Sequence, residues 1–177
     1  MCDWLENGFT TKASMERAHQ LICRVVASGG SQLTSILDLG CGNGRLLEAL
    51  GAKRAYGVER EPRRARTMAQ LTRGTVVIGD IGDVACWPGQ NYDLILLMPG
   101  RLTQMSVERA NTVLDAIRAR TEWVLVYAYR DWLRKYCTLG DILNMVGLPT
   151  GPGEAIDDFE AMMLELRKGT LGFTHSD

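Results

Sequence analysis

The sequence predicts an α/β fold, a three-layer α/β/α sandwich around a mostly parallel sheet. Apolar stretches alternate with segments of helical spacing, and a cluster of glycines follows the first apolar stretch. The length, 177 residues, suits one domain with a continuous core and no covalent staples. Strands joined by crossover helices are covered on both faces, which is why they read as unbroken apolar runs.

The elements follow in chain order. "TTKASMERAHQLICRVVASGG" is an amphipathic helix ended by Gly29 and Gly30, expected to cap the site. "SILDLG" is a strand followed by the helical "RLLEALGA". "RAYGVE" leads into "PRRARTMAQLTRG", where Pro62 sits early in the helix, its missing amide hydrogen unneeded there, and Gly74 closes it. "TVVIGD" is a third strand with a short mixed segment behind it. "YDLILLM" precedes "SVERANTVLDAIRAR", in which Val107, Ala110, Leu114 and Ile117 recur three or four apart and Ser106 is a cap. "WVLVYAY" precedes "RDWLRKYCTLGDILNMVG". Beyond Gly147, "LPTGPGEAIDD" reads as a short strand and "FEAMMLELRKG" alternates with period 2 as a final strand, although its letters fit a helix almost as well.

Composition excludes several functions. The net charge of −1 gives no global attraction to nucleic acid or anionic lipid, and no apolar run reaches the roughly 18 residues of a membrane helix. Asp3 and Glu6 stand where a secretory signal carries positive charge, so a cytoplasmic home is expected. The five cysteines (Cys2, Cys23, Cys41, Cys86, Cys137) are scattered and never form Cys-x-x-Cys, and are read as free thiols. His19 and His175 lie far apart, so no metal is expected. Lys53, Arg54, Arg60, Arg63, Arg64, Arg66 and Arg73 are concentrated enough to face phosphates, but read first as a solvated helix face.

The chemistry lies in "ILDLGCGNGRLLEAL". A glycine turn from a first parallel strand into a helix lets a ligand approach the backbone. A dinucleotide site wants Gly-x-Gly-x-x-Gly. Counting from Gly40 the third glycine should stand where Arg45 is, and counting from Gly42 where Leu47 is, so both registers fail. What stands here is Asp38-Leu39-Gly40-Cys41-Gly42-Asn43-Gly44.

That segment resembles the first motif of class I S-adenosylmethionine-dependent methyltransferases, a Rossmann-like family. The resemblance covers roughly residues 33–168 as core, leaving 1–32 as a helical cap and 169–177 as a tail of one methyltransferase domain, 1–177. It implies a seven-stranded sheet whose last strand is antiparallel. It also implies S-adenosylmethionine as cofactor and S-adenosylhomocysteine as product. Asp38 would accept from the ammonium of the methionine moiety, while Gly40, Cys41, Gly42, Asn43 and Gly44 would let the cofactor lie on the turn. Glu59, at the tip of the second strand and followed by Arg60, would accept the ribose hydroxyls. Asp80, favoured over Asp83 because it directly ends the apolar run, would accept from the adenine amino group, with the Ile81 amide facing a ring nitrogen.

In the family the residues after the fourth strand line the reacting centre. An Asn/Asp-Pro-Pro-aromatic sequence there marks enzymes that methylate base or glutamine nitrogens. This chain has Met98-Pro99-Gly100-Arg101, which speaks against that acceptor class, while the resemblance places Met98 at the cofactor. Arg101 is a candidate for binding an acidic acceptor, and Tyr129 and Trp132 for walling it. Asp131, Tyr129 and His19 are the candidates for a general base. Trp4 and Phe9 belong to a segment that could close over the pocket. The expected function is methyl transfer to a small molecule by in-line displacement, with no membrane or nucleic-acid partner and a homodimer left open. A protein or RNA methyltransferase, and a nonmethylating cofactor-binding module, are the alternatives.

Overall fold

The computed structural model describes residues 11–28, 33–129, 138–156 and 159–166. Helix α1 (Lys12–Ser28) is followed by β1 (Ser35–Leu39), α2 (Arg45–Ala49), β2 (Arg54–Glu59), α3 (Pro62–Thr72) and β3 (Thr75–Ile78). Then come a short 3-10 turn (Val84–Cys86), β4 (Leu94–Leu97), a second 3-10 turn (Pro99–Gln104), α4 (Val107–Arg120) and β5 (Trp123–Tyr129). The chain ends with α5 (Leu139–Met145), β6 (Gly153–Ile156) and β7 (Phe159–Glu165).

The seven strands form one sheet in the order β3-β2-β1-β4-β5-β7-β6. Strands β1 to β5 pair in parallel, and β7 runs antiparallel to both neighbours. The period-2 reading of "FEAMMLELRKG" therefore describes β7, whose residues pair with β5 from Trp123↔Glu165 to Tyr129↔Phe159. Strands β1 and β4 are buried along their whole length, as central strands covered on both faces should be.

Alternation along the strands divides the core in two. Ile36, Leu96, Leu125 and Tyr127 share one face with Met15, Leu21, Ile22, Leu46, Leu47 and Met68 from α1, α2 and α3. Leu37, Leu39, Ile95, Leu97, Val124 and Val126 face Val113, Leu114, Ile117, Ile142 and Leu143 from α4 and α5. The three layers are thus complete. Helix α1 packs on β6, β7 and α2, so it covers one sheet face.

Local signals fix the helix ends. Ser106 accepts from Arg109 N, and Pro62 opens α3 behind Glu61, whose carboxylate accepts from Arg63 N and Arg64 N. The left-handed cap of α3 falls on Arg73 (φ +53°), one residue before the expected Gly74. A side chain at Gly74 would instead meet Ala55 O and Thr72 Oγ1, so the glycine is there for close approach of β2. At the opposite edge of the sheet from the glycine turn, Asp93 Oδ2 accepts from Thr34 N, Thr34 Oγ1, Ser35 N and Ser35 Oγ at 2.7–3.1 Å, locking β4 to β1. Burial opposes ionisation of Asp93, but those bonds outweigh it and draw the carboxyl down to about 2.

No helix among the described residues is long and apolar enough to cross a membrane. Cys23, Cys41 and Cys86 are free thiols; Cys2 and Cys137 lie outside the described residues. Among the described residues no cluster of His, Cys, Asp and Glu has metal-binding geometry.

Candidate active site

Because β1 to β5 are parallel, their carboxyl ends lie along one edge, and the loops leaving that edge carry the site. The turn after β1 places Gly40 at φ +92°, Gly42 at +55° and Gly44 at +82°, all in the half of conformational space that favours glycine. Gly40 N and Cys41 N both donate to Val58 O (2.8 and 3.1 Å), pinning the turn to the tip of β2. A side chain at Gly44 would strike Met68 of α3, so this glycine also sets the approach of α2 to α3. Cys41 points into the core against Gly57; burial, then the charges of Asp38 and Glu59, push its thiol well up and leave it inert.

Glu59 ends β2 and is almost wholly buried. Its Oε2 accepts from Gly42 N and its Oε1 from Glu61 N, each at 2.9 Å, so it holds the glycine turn and the start of α3 together. Each oxygen keeps a further lone pair, which is what recognition of a diol requires. Asp80 follows β3; its Oδ1 accepts from Gly82 N (2.8 Å) and from the Arg109 guanidinium (2.9 Å), leaving Oδ2 for a ligand. Asp83 instead precedes the Val84–Cys86 turn and accepts through its backbone carbonyl from Cys86 N, which favours Asp80 as the site residue.

A cavity of about 740 Å³ opens at these strand ends, lined by Gly40, Glu59, Arg60, Asp80, Ile81 and Arg101 among others; Asp38, Cys41, Gly42, Asn43, Gly44 and Met98 lie behind its lining. Sequence reasoning missed Arg109, Gln104 and Met105, which also line it. A signal for Arg109 existed: it is in the first turn of the helix after a parallel strand, and such turns open at the ligand edge. Of the arginine-rich segment, Arg60 and Arg64 reach the cavity, while Lys53, Arg54, Arg63, Arg66 and Arg73 are exposed, in keeping with a solvated face.

Behind the turn, Asp38 on β1 is 2% exposed, and its Oδ1 has no hydrogen-bond partner. Burial pushes its carboxyl up from 3.8 to about 7, with the Arg101 guanidinium opposing and Glu59 reinforcing the shift. Met98 is buried at the start of the Pro99–Gln104 turn, and Arg101 lies against Gly40. Tyr127 and Tyr129 stand edge to face at the end of β5, 5.7 Å apart, with Phe159 beside them. Burial, then the charge of Asp38, holds both phenols protonated. Tyr129 is thus unsuited to serve as a base, and it does not line the cavity.

His19 does not line the cavity. It sits in a separate groove with Glu16, Gln20, Cys23, Arg24 and Ala49, where burial and then Arg45 lower it to about 4 and keep it neutral. Asp131, Trp132, Trp4 and Phe9 lie outside the described residues.

Known proteins share this architecture at low sequence identity. The N-methyltransferase NodS from Bradyrhizobium japonicum WM9, in complex with S-adenosyl-L-homocysteine, superposes with a TM-score of 0.69 at 15% identity, covering 94% of each chain. Magnesium protoporphyrin IX methyltransferase (ChlM) from Synechocystis PCC 6803 with bound S-adenosylhomocysteine gives 0.58 at 14% identity, covering 86% of this chain and 82% of its own. A putative RNA methyltransferase from Pyrococcus horikoshii gives 0.60 at 15% identity, covering 84% and 83%. The fold is that of these methyltransferases. No curated protein sequence matches the chain. The family described as "Methionine biosynthesis protein MetW" matches residues 16–131, and the chain belongs to it.

Proposed function

We propose that this chain is an S-adenosylmethionine-dependent methyltransferase acting on a small-molecule acceptor. The observation that carries the reading is the cavity at the carboxyl ends of β1, β2 and β3, where Gly40 of the left-handed glycine turn, Glu59 and Asp80 meet. The residues suit such a cofactor. It has an amino acid, a ribose and an adenine but no diphosphate, and the site offers carboxylates at three strand ends where a dinucleotide site offers a phosphate cradle. The unpartnered Oδ1 of Asp38 is matched to an ammonium, the free lone pairs of Glu59 to ribose hydroxyls, and the free oxygen of Asp80 to the adenine amino group.

When bound, the cofactor supplies a methyl group already activated on a sulfonium. The protein's own work is then positioning and exclusion of water. Pro99, Gly100 and Leu102 are buried and anchor the loop after β4, whose Arg101 packs against Gly40, while Tyr127, Tyr129 and Phe159 cluster at the end of β5. The cavity volume, about 740 Å³, lies in the small-ligand range. Incubation with methyl-labelled S-adenosylmethionine and separate small-metabolite, protein and RNA fractions tests the reading. Label is expected in the small-metabolite fraction; label confined to RNA or protein would overturn the acceptor class.

A further inference from the structure

Arg101 lines the cavity and packs against the glycine turn. The Pro99–Gln104 turn that carries it is closed by Arg101 N donating to Met98 O (3.0 Å) and Met105 N donating to Leu102 O (3.1 Å). This fixes the arginine against the glycine turn: a Cβ on Gly40 would stand 3.2 Å from Nε and 3.3 Å from Cζ. Nε is buried with no hydrogen-bond partner, as is Asp38 Oδ1. Native proteins rarely leave such atoms unmatched; Arg101 lines the cavity and its charge acts on Asp38 behind the glycine turn, so a ligand carrying both charges would match the two. Of the three other cavity arginines, Arg109 pairs with Asp80 at 2.9 Å, Arg64 approaches Glu61 at 3.9 Å, and Arg60 is exposed.

We infer that Asp38 and Arg101 form one receptor for a zwitterionic α-amino acid end, Asp38 for the ammonium and Arg101 for the α-carboxylate, which makes Arg101 a donor-binding residue. The inference rests on the donor reading above. The two ligand charges share one carbon, so a group with its ammonium at Asp38 presents its carboxylate on the side of Gly40, against which Arg101 of the Pro99–Gln104 turn packs. A planar guanidinium suits that carboxylate, since its fork accommodates two oxygens at once. An acidic acceptor is thereby left to other groups.

The test is isothermal titration of the whole chain with S-adenosylmethionine and with decarboxylated S-adenosylmethionine, which keeps the ammonium, sulfonium and adenosine. The wild type should bind the decarboxylated form about 10- to 100-fold more weakly. In Arg101→Met the gap should close, through loss of affinity for S-adenosylmethionine alone; Arg101→Gln reports the same quantity should the methionine variant fail to fold. A gap that persists in the variant, or wild type that binds both forms equally, would overturn the assignment of Arg101 while leaving the donor site standing. Wild type that binds neither would overturn the donor reading and the inference with it.

Discussion

Replacing Asp38 with asparagine should stabilise the empty protein at alkaline pH while weakening its hold on the cofactor. The carboxyl is 2% exposed and has an unpartnered oxygen, and burial raises it from 3.8 to about 7. A carboxyl raised on folding keeps its proton in the folded state after losing it in the unfolded one. The folded state therefore binds more protons between about pH 4 and 7, and stability falls as pH rises through that window. Below it both states are protonated and nothing is lost; above it the full penalty applies. The difference, 7 − 3.8 or about 3 units, at 1.36 kcal/mol each corresponds to about 4 kcal/mol. Asparagine keeps the shape and carries no charge, so Asp38→Asn should match the wild type near pH 4 and exceed it by up to about 4 kcal/mol at pH 8, a melting shift of roughly 10 °C. Urea unfolding of both proteins at pH 4.5, 6 and 8, with S-adenosylhomocysteine titrated at each pH, measures this. A stability difference that does not change with pH, or a variant less stable at pH 8, would refute the reasoning.

Other expectations follow from the same contacts. Wild-type affinity for S-adenosylhomocysteine should rise from pH 5.5 to about 7, by no more than tenfold per unit, and then level off, because the ionised carboxylate of Asp38 is the binding form; Asp38→Asn should flatten the profile. Glu59→Ala should weaken that affinity by roughly 1–3 kcal/mol and also lower thermal stability, since the carboxylate holds Gly42 N and Glu61 N. Asp93→Ala should destabilise by about 2 kcal/mol at neutral pH with cofactor affinity unchanged, since Asp93 accepts four bonds at the far edge of the sheet. Its stabilisation is present above 3.8 and lost as pH falls toward 2. His19→Gln should leave both binding and methyl transfer as they are, because His19 faces a groove separate from the cavity.

The glycine turn and the carboxylates at the strand ends were legible because each of their requirements leaves a local trace. Left-handed turns demand glycine, so Gly40, Gly42 and Gly44 spell out the turn, and a carboxylate directly ending an apolar run must sit at a strand tip, as Glu59 does. The sheet was legible for the same reason, down to β7, where alternation competed with a helical reading and pairing with β5 decided it. What the sequence does not show is which distant residue turns toward the turn. Arg101 against Gly40, Arg109 on Asp80 and the removal of His19 to the α1–α2 groove all depend on packing between elements far apart in the chain. The cap of α3 is a smaller example: sequence favours Gly74 for the left-handed position, but that position falls on Arg73 (φ +53°), and Gly74 serves the close approach of β2 instead.

The central claim is that the glycine turn holds S-adenosylmethionine, and calorimetric titration of S-adenosylhomocysteine into the wild type and Gly42→Val tests it most directly. Gly42 has φ +55° and donates its N–H to Glu59, so a β-branched residue there distorts both the turn and its carboxylate. The account predicts saturable one-to-one binding to the wild type and none to a Gly42→Val protein that remains folded. Equal affinity in both, or stabilisation of the wild type by NAD alone, would contradict it.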